Sequence, residues 1–184
     1  ILDTLRDTVK EERLSSPEEI KKAFIEILKS TIGEHEGLVI NTKPSVFSSD
    51  SRYYVQRADD AVLSVRSEES EYTGGAHPYY WSRGINLDPV SGQELKLSDV
   101  LTDTSGVSAI LTEKLSEKYN ETPFFSLEET LAEYKEENYT WTLNYQGITF
   151  YFSPYEIASY ADGTFQITLW YDEMPELFAE KYMT

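Results

Sequence analysis

Between Tyr139 and Tyr171 the chain alternates apolar and polar residues with a period of two. Tyr139, Trp141, Leu143 and Tyr145 come first, then Ile148, Phe150 and Phe152, then Phe165, Ile167, Leu169 and Tyr171. Only an extended strand sends every second side chain to the same face, so this stretch must build a sheet with one apolar side. Gln146-Gly147 turns the chain between the first two strands, and Asp162-Gly163 is a hairpin signal ahead of the third. A sheet of this kind needs a cover, and the rest of the chain has to supply it.

The remaining pattern changes period several times. Ser16-Pro17-Glu18-Glu19 has the form of a capping box, with Pro17 at the first helical position. Ile20, Phe24, Ile27 and Leu28 follow at helical spacing, and Gly33 is a plausible stop. From about Gly37 the period is two. Leu38-Val39-Ile40, Val46-Phe47, Tyr53 with Val55, the run from Ala61 to Tyr72 and the run from His77 to Asp88 all read as strand. Asp88-Pro89-Val90-Ser91-Gly92 is a strong turn. Ser98 opens a short element. Val107, Ile110, Leu111 and Leu115 share a helix face, and Ser126 with Glu129 marks the start of another helix. Met174 to Tyr182 is expected to close the chain as a helix. Segregated strands and helices predict an α+β fold, a mostly antiparallel sheet with helices packed on one side. The division expected is an N-terminal helical segment over 1–33 and an α+β domain over 34–184.

Charge and composition restrict function. Thirty-three acidic residues against 16 Lys and Arg give a net charge of −17. That is a poor surface for phosphate backbones or anionic membranes, and a good one for a cationic partner. There is no cysteine, which removes thiol chemistry and thiolate metal sites. The 14 tyrosines suit both sheet structure and contact surfaces. No apolar run reaches the roughly 20 residues that span a bilayer. The chain opens at Ile1 rather than Met and reads as an excised fragment, from which a signal peptide or membrane anchor could have been cut away.

Catalytic patterns are not found. His35 sits in an exposed turn, Gly33-Glu34-His35-Glu36-Gly37. His77 follows two glycines and reads first as a structural hydrogen-bonding group, since a general base needs a partner and a pocket. Ser64, Ser82 and Ser153 lack the Gly-x-Ser-x-Gly elbow of a nucleophile. Gly74-Gly75 lacks the lysine and spacing of a phosphate loop. Asp99 to Asp103 is too sparse for a calcium loop. No enzyme, no metal site and no cofactor is expected. The aromatic clusters point instead to binding. Pro154, Tyr155, Glu156 and Tyr160 in one loop are the first candidates for ligand contact, and Tyr80 with the Gly74, Gly75 and His77 turn are the second.

Three segments then carry a resemblance. They are Thr73-Gly74-Gly75-Ala76-His77, the stretch Asn86-Leu87-Asp88 with Ser91 to Leu101, and Phe152 to Gly163. In order and spacing they resemble the extracytoplasmic domain of RsiV-type anti-sigma factors, found also in a polysaccharide deacetylase and in many uncharacterised bacterial surface proteins. The resemblance covers roughly residues 37 to 180. It implies an α+β domain outside the membrane, secreted or anchored at the cell surface. It also implies a ligand-sensing role that in one member is the binding of lysozyme, a basic protein. The metal motifs of a deacetylase catalytic domain are not present. The second reading open to the chain is a non-catalytic accessory module that binds cell-wall glycan.

Overall fold

The computed structural model describes Glu19, Lys22, Ala23 and Glu26, all helical, and residues 47–183. The chain divides into two compact units, Ile1–Pro44 and Ser45–Thr184. The capping box at Ser16, the boundary near Gly33, the turn bearing His35 and the strand expected at Leu38–Ile40 lie outside the described residues.

The second unit has an α+β fold. Three strands come first, β1 (Ser48–Ala58), β2 (Leu63–Tyr72) and β3 (Tyr79–Leu87). Three helices follow, α1 (Leu97–Val100), α2 (Val107–Lys118) and α3 (Leu127–Ala132). Then come β4 (Thr140–Leu143), β5 (Gly147–Phe152) and β6 (Phe165–Trp170). All pairings are antiparallel, but the strands make two sheets, β1-β2-β3 and β4-β5-β6, where the sequence pattern had suggested one.

The alternation that marked the second sheet is realised in its packing. Trp141 pairs with Phe150 and Leu143 with Ile148, while Ile167 and Leu169 flank the same two β5 residues from β6. This apolar face forms one buried cluster with Leu97, Val100, Val107, Leu111, Leu115, Leu127 and Leu131 of the helices. The opposite face is polar, buried at Thr142, Thr149 and Tyr151 and open to solvent at Gln166 and Trp170 of β6. The Thr142 and Tyr151 hydroxyls lie 2.9 Å apart, and the Thr149 and Thr168 hydroxyls also lie 2.9 Å apart. Arg66 of β2 stands over the Tyr151 ring at 4.3 Å, so the first sheet covers this side.

The two sheets are joined by side chains rather than by a strand ladder. β4 is an edge strand and leaves backbone groups that need partners. The Asn86 amide donates to Trp141 O (2.9 Å), and the Leu143 N–H donates to Ser64 Oγ (2.9 Å). Ser64 Oγ in turn donates to Asn86 Oδ1 (2.6 Å). Ser64 and Asn86 are cross-strand partners and both are buried, so the set closes on itself. Gly84 makes the approach possible: a Cβ there would stand 1.7 Å from Trp141 O. A second tie lies beside it on β1, where Arg57 is the cross-strand neighbour of Ser64. Buried Arg57 reaches Asp59, Tyr171 and the Tyr182 carbonyl, and the Tyr145 hydroxyl bonds the backbone of Ala58.

Three local expectations are corrected. Asp162-Gly163 is not a two-residue hairpin. Asp162 accepts hydrogen bonds from the Ser159 N–H and hydroxyl, closing a 3₁₀ turn over Tyr160–Asp162, so β5 and β6 are joined by the long loop 153–164. Ser126 stands before α3 but at φ 24 its hydroxyl makes no capping bond; its carbonyl accepts from Thr130 instead. The closing helix is replaced by two 3₁₀ turns, Pro175–Leu177 and Glu180–Tyr182. Between them the backbone pairs with the 100–102 segment, through Ala179 N–H to Val100 O and Thr102 N–H to Leu177 O. A continuous helix would consume those same groups.

Two substitutions test the junction. Gly84→Ala forces a methyl into the Trp141 carbonyl and is expected to destabilise the domain by about 3 kcal/mol or more. Asn86→Ala strands the Trp141 carbonyl and the Ser64 hydroxyl and is expected to lose about 1–3 kcal/mol. Urea denaturation read as a midpoint shift at constant slope is the check. A Gly84→Ala protein as stable as the parent would show that the sheets are not in contact there.

Candidate functional site

The β2–β3 hairpin tip and the loop 153–164 are far apart in sequence and meet in space. At the tip, Gly74 (φ 97) and Gly75 (φ 111) both adopt the left-handed region that glycine tolerates. The Tyr72 hydroxyl donates to Gly75 O at 2.9 Å and fixes the turn. The chain then re-enters strand with His77 and Pro78 at the boundary.

The long loop is shaped by its own hydrogen bonds. Glu156 N–H donates to Ser153 O, and Tyr155 N–H donates to Ala158 O (3.1 Å each), while Ile157 O accepts from Phe125 N–H at 2.9 Å. Ile157 and Ala158 are fully buried and anchor the turn. This geometry holds Tyr155 at φ 72, an outlier for a bulky residue, and its ring is 53 % exposed.

Two bonds dock the loop on β3. The Tyr160 hydroxyl donates to Pro78 O at 2.8 Å, and the Ser82 N–H donates to Ser153 Oγ at 3.3 Å. With Nδ1 protonated, His77 donates to the same Pro78 carbonyl at 3.1 Å. The His77 and Tyr160 rings stack at 3.7 Å with planes 21° apart. Tyr155 packs 5.6 Å from Tyr160 and 6.4 Å from His77, and Tyr80 lies 6.4 Å from Tyr160. Tyr79 meets His77 edge-on at 6.1 Å. Loss of hydration, then the neighbouring Tyr80 and Tyr155, raise the Tyr160 phenol above its ordinary range.

The two groups of candidate residues therefore form one patch. His77, Tyr80, Tyr155 and Tyr160 are its rings, Gly74 and Gly75 shape the turn that presents His77, and Pro154 begins the turn that presents Tyr155. Glu156 plays a different part. Burial raises its carboxyl pKa, opposed by hydrogen bonds from Ser153. It stands near Tyr134, whose phenol is pushed up to about 12, chiefly by burial and then by the Glu156 charge. It is thus a partly buried group beneath the loop rather than a solvated surface carboxylate.

Two residues at the patch are not among the candidate ligand contacts. Tyr79 is 59 % exposed and its neighbour Tyr80 is 47 % exposed, although successive strand residues face opposite sides. Neither is buried, because β3 meets the second sheet at Gly84 and Asn86, ~13 Å further along the strand. Ser153 Oγ ties the loop to β3, a role that no local pattern announces. Among the described residues, no group of three or more His, Cys, Asp or Glu side chains is placed to hold a metal ion, and no helix is long and apolar enough to cross a membrane.

The fold has counterparts among known structures. Residues 98–172 match a family described as "Protein of unknown function (DUF3298)". That range holds α1 after its first residue, α2, α3, the second sheet and the loop with Tyr155 and Tyr160; the hairpin tip with His77 lies outside it. The chain is similar to the crystal structure of a DUF3298 family member from Bacteroides fragilis. The two are 24 % identical, covering 91 % of this chain and 71 % of that one, with a TM-score of 0.63. It is also similar to a DUF3298 family protein from Pseudomonas aeruginosa, at 17 % identity over 90 % of this chain and 82 % of that one, with a TM-score of 0.54. At these identities the likeness establishes a shared fold. No curated protein matches the chain.

Glu156 supplies a pH test. Its pKa is raised in the folded state, so its contribution to stability is complete below the unfolded value, about 4.3, and is lost as pH rises through the folded value. Glu156→Gln is expected to melt higher than the parent at neutral pH, with the gap closing below about pH 4. Melting curves at the two pH values read this directly; a variant less stable at neutral pH would contradict it.

Proposed function

We propose that this chain is a non-catalytic, extracytoplasmic receptor domain that binds a basic protein through the patch of His77, Tyr79, Tyr80, Tyr155 and Tyr160. One observation carries the reading. Tyr155 is a bulky ring held at φ 72 and left half exposed within a cluster of stacked aromatics. Strained backbone at an exposed aromatic is a mark of a functional surface, and a ring fixed before the encounter loses little entropy on binding. Tyrosine also supplies apolar area with a hydrogen-bonding tip, the mix found at interface hot spots.

The partner's charge follows from the chain's own. A net charge of −17 steers cations and repels anions. The resemblance to RsiV-type anti-sigma factors suggests lysozyme as the basic partner.

Titration calorimetry with a basic lysozyme at low and at moderate salt is the test. Binding is expected to weaken as salt screens the charges. Tyr155→Gly removes the ring and relieves the positive φ, so it separates contact from folding. It is expected to weaken binding by more than about 1 kcal/mol, roughly fivefold, without loss of thermal stability. Unchanged affinity would remove the loop from the interface, and no binding at either salt would exclude lysozyme as the partner.

A further inference from the structure

The face of the first sheet that meets β4 at Ser64 and Asn86 continues past the contact. By register it carries Tyr54, Arg66 and Gly84 in one row, Arg52, Glu68 and Ser82 in the next, and Asp50, Ser70 and Tyr80 in the third. The ribbon here overhangs the loop before β6. The space between is a cleft of about 280 Å³ bordered by Arg52, Arg66, Glu68, Tyr80, Ser82 and Thr164. A second hollow of about 290 Å³ shares Arg66, Ser82 and Thr164 and leads toward Tyr119 and Gln166. With three lining residues in common, the two form one groove that reaches the aromatic patch at Tyr80.

The lining is unusual in holding strong donors and strong acceptors side by side. The Arg66 guanidinium stands over the Tyr151 ring at 4.3 Å, and its Nη2 serves both Glu68 (2.8 Å) and Ser82 Oγ (3.3 Å). Its Nε is shut off from solvent and has no acceptor among the described residues, in a position where most buried donors are satisfied. Arg52 pairs with Asp50 at 3.0 Å, and both remain largely exposed. Two guanidinium groups thus share the cleft with the carboxylates of Asp50 and Glu68. Each charge is already balanced by a neighbour. A strongly anionic ligand meets two carboxylates, and a strongly cationic one meets two arginines.

The ligand that such a surface recognises is neutral and carries groups that donate and accept at once. A hydroxyl does both. Adjacent hydroxyls can accept from guanidinium and donate to carboxylate, keeping every charged group paired on entry. The exposed ring of Tyr80, 47 % accessible, offers an apolar face at the mouth. We propose that this groove is a binding site for an uncharged saccharide chain, with Arg66 and Glu68 as the hydrogen-bonding pair and Tyr80 as the stacking ring. It adjoins the protein-binding patch and shares Tyr80 with it, but does not depend on that reading.

The test is an NMR titration of the ¹⁵N-labelled chain with three neutral trisaccharides, those of N-acetylglucosamine, glucose and xylose, at low and moderate salt. At least one is expected to shift the amides of Arg66, Glu68, Tyr80 and Ser82 saturably, with little salt dependence. Tyr80→Ala is expected to weaken that binding roughly fivefold or more, and Glu68→Gln, a partly exposed site, about threefold. Tyr155→Gly is expected to leave it in place, so that failure of the protein-binding proposal and failure of this one are told apart. Absence of saturable shifts with all three sugars, shifts centred elsewhere, or full affinity in both Tyr80→Ala and Glu68→Gln would overturn the assignment.

Discussion

The fold of the second unit depends on how one exposed strand edge is satisfied. β4 borders the second sheet, and its outer backbone groups face the first sheet, whose strands run past it without pairing. Ser64 and Asn86 take the place of a neighbouring strand, giving Leu143 an acceptor and Trp141 a donor. Buried backbone groups left without partners are costly, so this small polar set decides where the ribbon sits. Gly84 makes the close approach sterically possible. Arg66 extends the contact by lying over Tyr151.

What the junction fixes is the position of everything beyond it. Once β3 is held at Gly84 and Asn86, its N-terminal end projects past the second sheet and meets the loop between β5 and β6. Ser153 and Tyr160 complete that meeting with bonds to Ser82 and Pro78. The patch of stacked rings and the mixed-charge groove are both products of the overhang. They lie on either side of Tyr80, which borders the groove and packs near Tyr160.

A good deal of this was legible along the chain. The second sheet was plain in Trp141, Leu143, Phe150 and Ile167, because burial on one face requires a period of two. The helix face of Val107, Leu111 and Leu115 was equally plain, and all three are fully buried. Gly74-Gly75 and the Pro154–Tyr160 loop stood out as unusual. Less legible was the role of Asp162, whose carboxylate is spent on Ser159 rather than on a hairpin. Glu156 read as a candidate ligand contact and is partly buried, because Ile157 and Ala158 draw the loop inward.

The amino-acid sequence by itself determined the strands and helices α2 and α3 of the second unit, the α+β class, the apolar face of the second sheet and the −17 charge, since all of these follow from local periodicity and composition. Tertiary structure alone decided that the strands form two sheets, because sheet membership is set by hydrogen bonds between distant segments. It alone brought His77 against Tyr160 and Arg66 over Tyr151, contacts between residues far apart in the chain whose energy no local pattern encodes.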